Sequence, residues 1–322
     1  MINMKNFQLF HKVASAILNL IIIVIVSIVF YTTIPLKVPT RTVKLPKGSV
    51  TNTINYLQKK GYKLSKIDTY LLVAIGQPKS GELNIGKGEI NRIDFLHKLT
   101  SATEAFDIIT LIPGETRQIF LTNLAKKYNL SFEKLNKNYS KYSPYPEAGI
   151  LPDTYHVPKG IKEEKLINFL IKLTNKKYKD LSIKELNRYN KQEWLKYLTI
   201  ASIIQKEAAN KKEMPKISSV IYNRLKKDMP LQMDGTLNYG KYSHIKVTPQ
   251  RIKNDKSKFN TYLNKGLPPY PICSVSIEAI KSAIHPDKSE YLFFMKNSKG
   301  VHDFSKTYQE HLKNINRAKR SH

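Results

Sequence analysis

The sequence predicts an α+β protein carried by a single N-terminal transmembrane helix, with small α+β units first and a C-terminal α+β domain after them. Three observations point there. A charge-free apolar run lies near the start, two stretches share one order of strand, turn and helix signals, and from about residue 184 aromatic residues become denser while signal types mix.

The apolar run "VASAILNLIIIVIVSIVFYTTIPL" extends from Val13 to Leu36. It exceeds the roughly 20 residues that cross a bilayer as a helix. A cleavable signal would carry an apolar core of roughly 7–15 residues and a small-x-small cleavage site, and "FYTTIPLKVPT" offers no such site. Residues 13–36 therefore predict an uncleaved single-pass anchor behind a short N-terminal segment, residues 1–12. Lys5 and Lys12 precede it, but Lys37, Arg41, Lys44 and Lys47 follow, so this bias does not favour an inside N-terminus. Long following domains translocate largely regardless of such charges.

The next two elements resemble each other. "VKLPKGSVTNTINYLQKKGYKLS" (Val43 to Ser65) and "ITLIPGETRQIFLTNLAKKYNLS" (Ile109 to Ser131) each read as a strand, a Pro/Gly turn and an amphipathic helix, then Lys-Lys and Leu-Ser. Each continues into a second helix ("KIDTYLLVAIG", "FEKLNKNY") and a closing strand ("GELNIGKG", "GILPDTYHVPKG"). A divergent duplication and the common pattern of small α+β units account for this equally well. The expected bounds are 37–104 and 105–160. Residues 161–183, with Leu166, Ile167, Leu170 and Leu173 at helical spacing, predict a connector helix, and 184–322 form the last domain.

Composition narrows the chemistry. The 322 residues carry a net charge of +29, with 54 Lys+Arg against 25 Asp+Glu. Such an excess suits an anionic partner, whether nucleic acid, an acidic membrane or a wall polymer. Much of it is lysine spread in pairs such as Lys126-Lys127 and Lys226-Lys227, the habit of solvated faces, and no Arg-rich strip with interleaved aromatics or RNA-binding signature is present. Cys273 is the only cysteine, so no intrachain disulfide forms. His285 and His302 lack HxxxH or HxH spacing, and no Gly-rich phosphate loop occurs, which argues against a metal or a nucleotide cofactor.

The last domain holds the candidate site. Tyr197 to Ile204 is uncharged and reads as a helix buried on every side, with Ile200, Ile203 and Ile204 on the face that leads to Glu207. Glu207 either marks where that helix meets water or is a desolvated carboxyl with a raised pKa, suited to general acid chemistry. A second helix, "EMPKISSVIYNRLKK", carries Pro215 near its start, an apolar stripe of Ile217, Val220, Ile221 and Leu225, and Arg224 on that stripe with Asn223 beside it. A buried arginine needs a carboxylate or an oxygen-rich ligand, so Arg224 predicts either an ion pair between the helices or a ligand contact. In "PLQMDGTLNYG" the alternation sets Leu231 and Met233 on one face and Gln232 and Asp234 on the other, as in a half-buried strand. Tyr239 then offers an aromatic face for a sugar. "FNTYLNKGLPPYPI" is a turn-rich loop, and a strand is expected at Tyr291 to Met295.

Residues 190–316 resemble the catalytic domain of the endolytic murein transglycosylases of the YceG-like family. The motifs are "ASIIQKEA", "VIYNRL", "MPLQMDGTLNYG", "FNTYLNKGLPPYPI", "AIHPDKSEYLFF" and "HDFSKTYQEH", in the family's order. The anchor, two LysM-like units and the junction "LPDTY" extend the resemblance over nearly the whole chain. It implies that Glu207 is the catalytic glutamate and that no cofactor is needed. By the same resemblance Asn223, Arg224, Gln232, Asp234, Asn260, Tyr262 and His285 line a sugar cleft. The implied reaction cuts the β-1,4 bond from N-acetylmuramic acid to N-acetylglucosamine within peptidoglycan strands and leaves 1,6-anhydromuramic ends. The implied setting is the cytoplasmic membrane with the catalytic domain outside, and the implied partners are glycan strands and peptidoglycan synthases. One departure is "IPGET" in the second unit, where the family commonly has an acidic residue before the glycine.

Overall fold

The computed structural model describes residues 4–102 and 105–320. Residues 1–3 of the expected N-terminal segment, Thr103 and Glu104 at the expected boundary between the small units, and Ser321 and His322 lie outside the described residues. The chain divides into two compact units, one up to Asp107 and one from Ile108.

In the first unit, α1 (Met4–Thr33) is long and apolar enough between Phe7 and Thr33 to cross a membrane, and every residue from Phe7 to Phe30 is exposed. The helix stops three residues before the apolar run does. Leu36 is buried instead in β1 (Pro35–Val38), as part of this unit's core. There follow β2 (Thr42–Leu45), α2 (Val50–Lys59), α3 (Lys66–Ile75), β3 (Gly81–Asn84), β4 (Gly88–Asn91) and α4 (Arg92–Ser101). β2 pairs antiparallel with β3, and β1 with β4. Ser49 caps α2, and Ser65 with Asp68 forms a capping box at α3, satisfying N–H groups that a helix start leaves free. Asp68 also accepts from buried Arg92 at 2.7 Å and from the Tyr31 hydroxyl at 2.9 Å, which ties the end of α1 to α3 and α4.

The second unit begins with the same order: β5 (Phe106–Thr110), α5 (Arg117–Tyr128), α6 (Phe132–Tyr142) and β6 (Thr154–Pro158), with β5 paired to β6. Both similar segments are thus β-α-α-β motifs closed by a two-stranded sheet. The connector expected next is a core helix. In α7 (Glu163–Leu186), Leu166, Ile167, Leu170 and Ile171 complete the core around Phe120, Leu121, Leu124 and Leu135, while Tyr178 packs on Trp194 at a centroid distance of 5.7 Å. Leu173 of the expected stripe is 37% exposed, because the buried face turns through Ile171.

The remaining elements are α8 (Lys191–Glu207), α9 (Met214–Lys226), α10 (Pro249–Asn254), α11 (Ile277–Ile284), β7 (Phe293–Lys296), β8 (His302–Ser305) and α12 (Tyr308–Arg320). Asn190 caps α8 by accepting from the N–H groups of Gln192 and Glu193. Every residue from Leu198 to Ile204 is buried, with α11 and α9 packed around the helix. The strand expected around 231–234 is not one. Leu231 and Met233 are buried and Gln232 and Asp234 exposed, as the alternation required, but Gln232 adopts a left-handed backbone (φ 49°) and residues 234–237 wind into a 3-10 turn. Alternation reported burial there, and ladder pairing needs extended backbone as well.

Candidate active site

Helix α8 ends at Glu207, so a stretch buried on all sides from Leu198 to Ile204 delivers the carboxyl that follows it to the edge of the core. Gly235 meets it there, its N–H donating to Glu207 Oε1 at 2.7 Å. A Cβ at Gly235 would lie 2.7 Å from Lys206 Cβ and 2.8 Å from Glu207 Oε1, so only glycine permits this approach. Burial pushes the Glu207 carboxyl up to about 7, the nearby Asp234 charge adds to this, and the Gly235 N–H opposes it. The carboxyl is poised to give and take a proton near neutrality.

The pocket over Glu207 has a volume of about 220 Å³. Gln232, Asp234 and Tyr262 line it, and the Tyr262 hydroxyl donates to Asp234 Oδ1 at 2.8 Å. Arg224 lines it too, but its pairing differs from the ion pair with Glu207 that the sequence left open. The guanidinium donates to the carbonyls of Leu292 (2.7 Å), Leu231 (2.7 Å) and Pro230 (3.2 Å) and lies over the Phe293 ring. Backbone oxygens satisfy the buried cation, which fixes the 230–231 segment and the approach to β7.

The opposite wall had no local signal in the sequence as a group. Phe294, Met295, Lys296 and His302 come from the β7–β8 hairpin, in which Lys296 pairs with His302. His302 is oriented by Glu213, whose Oε1 accepts from the His302 backbone N–H at 2.9 Å while Oε2 lies 2.8 Å from Nδ1. Phe294 and His302 fall in two of the quoted motifs, whereas Glu213, three helices earlier in the chain than His302, carried no signal.

The structure does not bring every expected residue here. Asn223 donates to the carbonyls of Ser289 and Tyr291 (2.8 and 2.9 Å), and buried Asn260 donates to those of Ile252 and Asp255 (both 2.7 Å), so both brace loops. His285 is exposed at the end of α11 and pairs with Glu185 at 3.0 Å. Tyr239 lines a neighbouring cavity of about 290 Å³, stacked on Phe259. Among the described residues no group of three or more His, Cys, Asp or Glu side chains is placed to hold a metal ion.

The raised Glu207 carboxyl beside Asp234, in an open pocket of amide, hydroxyl, cationic and aromatic groups, makes this a polar ligand site with a proton to exchange. The chain belongs to the YceG-like family, which matches residues 43–317. It is 32% identical over 308 residues to an endolytic murein transglycosylase of Bacillus subtilis, covering 85% of this chain and 83% of that protein. Endolytic murein transglycosylases of two Streptococcus pneumoniae strains are 30% identical over 237 residues; the match covers 69% of this chain and 40% of theirs. The crystal structure of a YceG-like protein from Listeria monocytogenes superposes with a TM-score of 0.55 at 28% identity, covering 84% of this chain and 98% of that one.

Proposed function

We propose that this protein is an endolytic peptidoglycan transglycosylase that cuts the β-1,4 bond from N-acetylmuramic acid to N-acetylglucosamine inside glycan strands. The single observation that carries the reading is the Glu207 carboxyl, pushed up to about 7 and held by the Gly235 N–H at the base of a sugar-sized polar pocket. Protonated Glu207 gives its proton to the leaving glycosidic oxygen as the anomeric bond breaks. The carboxylate so formed takes the proton of the muramic 6-hydroxyl, whose oxygen bonds to the anomeric carbon. Glu207 ends protonated, no water is consumed, and the new end is 1,6-anhydromuramic. The nucleophile belongs to the substrate, so proximity supplies what a second carboxylate supplies in ordinary glycosidases.

In this reading Gln232, Asp234, Tyr262 and the β7–β8 hairpin hold the sugars. Arg224, Asn223 and Asn260 keep the walls in place, the two β-α-α-β motifs act as LysM-like wall-facing units, and α1 anchors the chain with everything after it outside the cytoplasmic membrane. Mass spectrometry of digested strands tests the reaction: anhydromuramic ends are expected, and reducing muramic ends would assign a hydrolase in which Asp234 activates water. A reporter fused after His322 tests the topology and should score as external.

A further inference from the structure

The cavity that contains Tyr239 is larger than the Glu207 pocket, at about 290 Å³, and the second β-α-α-β motif and the C-terminal core both line it. Three contacts lock those layers together. The Thr116 hydroxyl donates to the Gly240 carbonyl at 2.7 Å, His244 Nε2 lies 2.9 Å from Glu115 Oε2, and the Gly114 N–H donates to the Ser274 carbonyl at 2.9 Å. The walls are therefore fixed before any ligand arrives. Tyr239 stacks on Phe259 at 4.4 Å and donates its hydroxyl to Asp255 Oδ2 at 3.2 Å, and Tyr270 sets its ring against Phe259 at 4.9 Å. Such rigid aromatic surfaces beside a few polar groups suit a sugar ring.

Charge decides which sugar. The Arg117 guanidinium lies over the Tyr139 ring at 4.8 Å and has no hydrogen-bond acceptor among the described residues, so its fork of donors is unspent. Lys241 adds a second cation. The one carboxyl in the lining, Glu147, already accepts from the N–H groups of Arg117 (2.8 Å) and Ala148 (3.3 Å); burial pushes it up to about 7 against the pull of those donors and of the Arg117 charge, so one partly ionised carboxyl faces two cations. The balance favours an anion. The two pockets are also neighbours along one segment: Asp234 and Tyr239 are five residues apart, which limits their Cα separation to roughly 17 Å, and the 3-10 turn between them shortens it further.

We propose that this cavity is a second subsite for the same polysaccharide strand, in which Arg117 receives the carboxylate of a carboxylated amino sugar while the tyrosines pack its rings. It rests on the peptidoglycan reading. It also gives the second β-α-α-β motif a part in substrate choice.

The test is calorimetric titration of the full chain carrying Glu207→Gln, which prevents turnover, in detergent. Three probes are used: neutral chitotetraose, an alternating tetrasaccharide with free lactyl carboxylates, and the same tetrasaccharide bearing stem peptides. Adding Arg117→Ala should weaken one of the two carboxylated probes by about tenfold and leave chitotetraose unchanged. The probe affected identifies the carboxylate as lactyl or peptidyl. A loss shared equally by all three probes, or by none, overturns the subsite. Exposed Lys241→Gln serves as a second variant, expected to weaken the same probe by about twofold without moving the melting temperature; no probe-selective loss from it counts against the proposal. Wild-type protein that yields anhydro ends while these variants bind normally sinks the subsite alone, whereas wild-type protein that cuts no strand sinks the underlying reading.

Discussion

Glu207 and Glu213 stand at opposite ends of one short loop between α8 and α9, and both serve the same pocket, yet they hold their protons differently. Burial raises both. Glu207 has one N–H donor and an anionic neighbour in Asp234, and its carboxyl rises to about 7. Glu213 receives the His302 ring, the His302 N–H and the Ala209 N–H, and these draw it below the ordinary carboxylate range despite its burial. Deeper desolvation with a single donor, against shallower desolvation with several, separates an acid that can be spent from a carboxylate that only positions a ring.

Glu207→Gln should produce the largest effect. Strand cleavage should fall by about 10²–10⁴-fold, the usual range for losing a general acid–base, measured as anhydro ends released per minute. The same variant should not be less stable. Because the folded value of about 7 lies above the ordinary 4.5, the stability tied to protonated Glu207 is complete below about 4.5 and is lost as pH rises through about 7. The variant's melting temperature should therefore gain on wild type between pH 5 and pH 8. A gap that stays flat across that window would remove the claimed difference between the two glutamates.

Gly235→Ala comes next. The added methyl meets Lys206 Cβ and Glu207 Oε1 at contact distances no side chain tolerates, so the 3-10 turn must retreat and the only N–H on Glu207 with it. We expect destabilisation of about 1–3 kcal/mol, typical of overpacking, read from denaturant midpoints. With the lowering donor gone, the alkaline limb of the pH–rate profile should move upward. Unchanged midpoints and an unchanged limb would mean that the Gly235 contact matters to neither.

Glu213→Gln should act through His302 and more weakly. It exchanges an ionic acceptor for a neutral amide and should cost about 1–3 kcal/mol at neutral pH. The depressed value of Glu213 gives the sign: its contribution is present above the ordinary 4.5 and is lost as pH falls through the lower folded value. The variant and wild type should converge in stability in acid, the reverse of the Glu207 pair. Parallel curves would refute this.

The asymmetry between the two glutamates also shows what could be read beforehand. The helix carrying Glu207 was legible because an uncharged run as long as Tyr197–Ile204 has few fates other than burial. The β-α-α-β order was legible because caps and turns are local. Glu213 was not, since its meaning depends on His302, which lies far along the chain and reaches it only through the β7–β8 hairpin. Arg224 was placed correctly as a buried cation, but no spacing rule says that its acceptors would be carbonyls of Pro230, Leu231 and Leu292. His285 shares a motif with site-forming neighbours, yet the end of α11 turns it toward Glu185. An amphipathic stripe likewise cannot name its partner, which is why α7 read as a connector and proved to be shared between two cores.

Asp234→Asn is the smallest and the most discriminating change. The asparagine keeps the shape and can still accept from the Tyr262 hydroxyl, so the pocket wall stays in place. What disappears is the charge that helps raise Glu207. If Glu207 works alone as acid and then base, the plateau rate should barely change, the ends should remain anhydromuramic, and the alkaline limb should shift to lower pH. If Asp234 were the base of a water-consuming hydrolase, the plateau itself would collapse by about 10²-fold or more. One variant assayed from pH 5 to pH 9 thus separates a carboxylate that tunes its neighbour from one that shares its work.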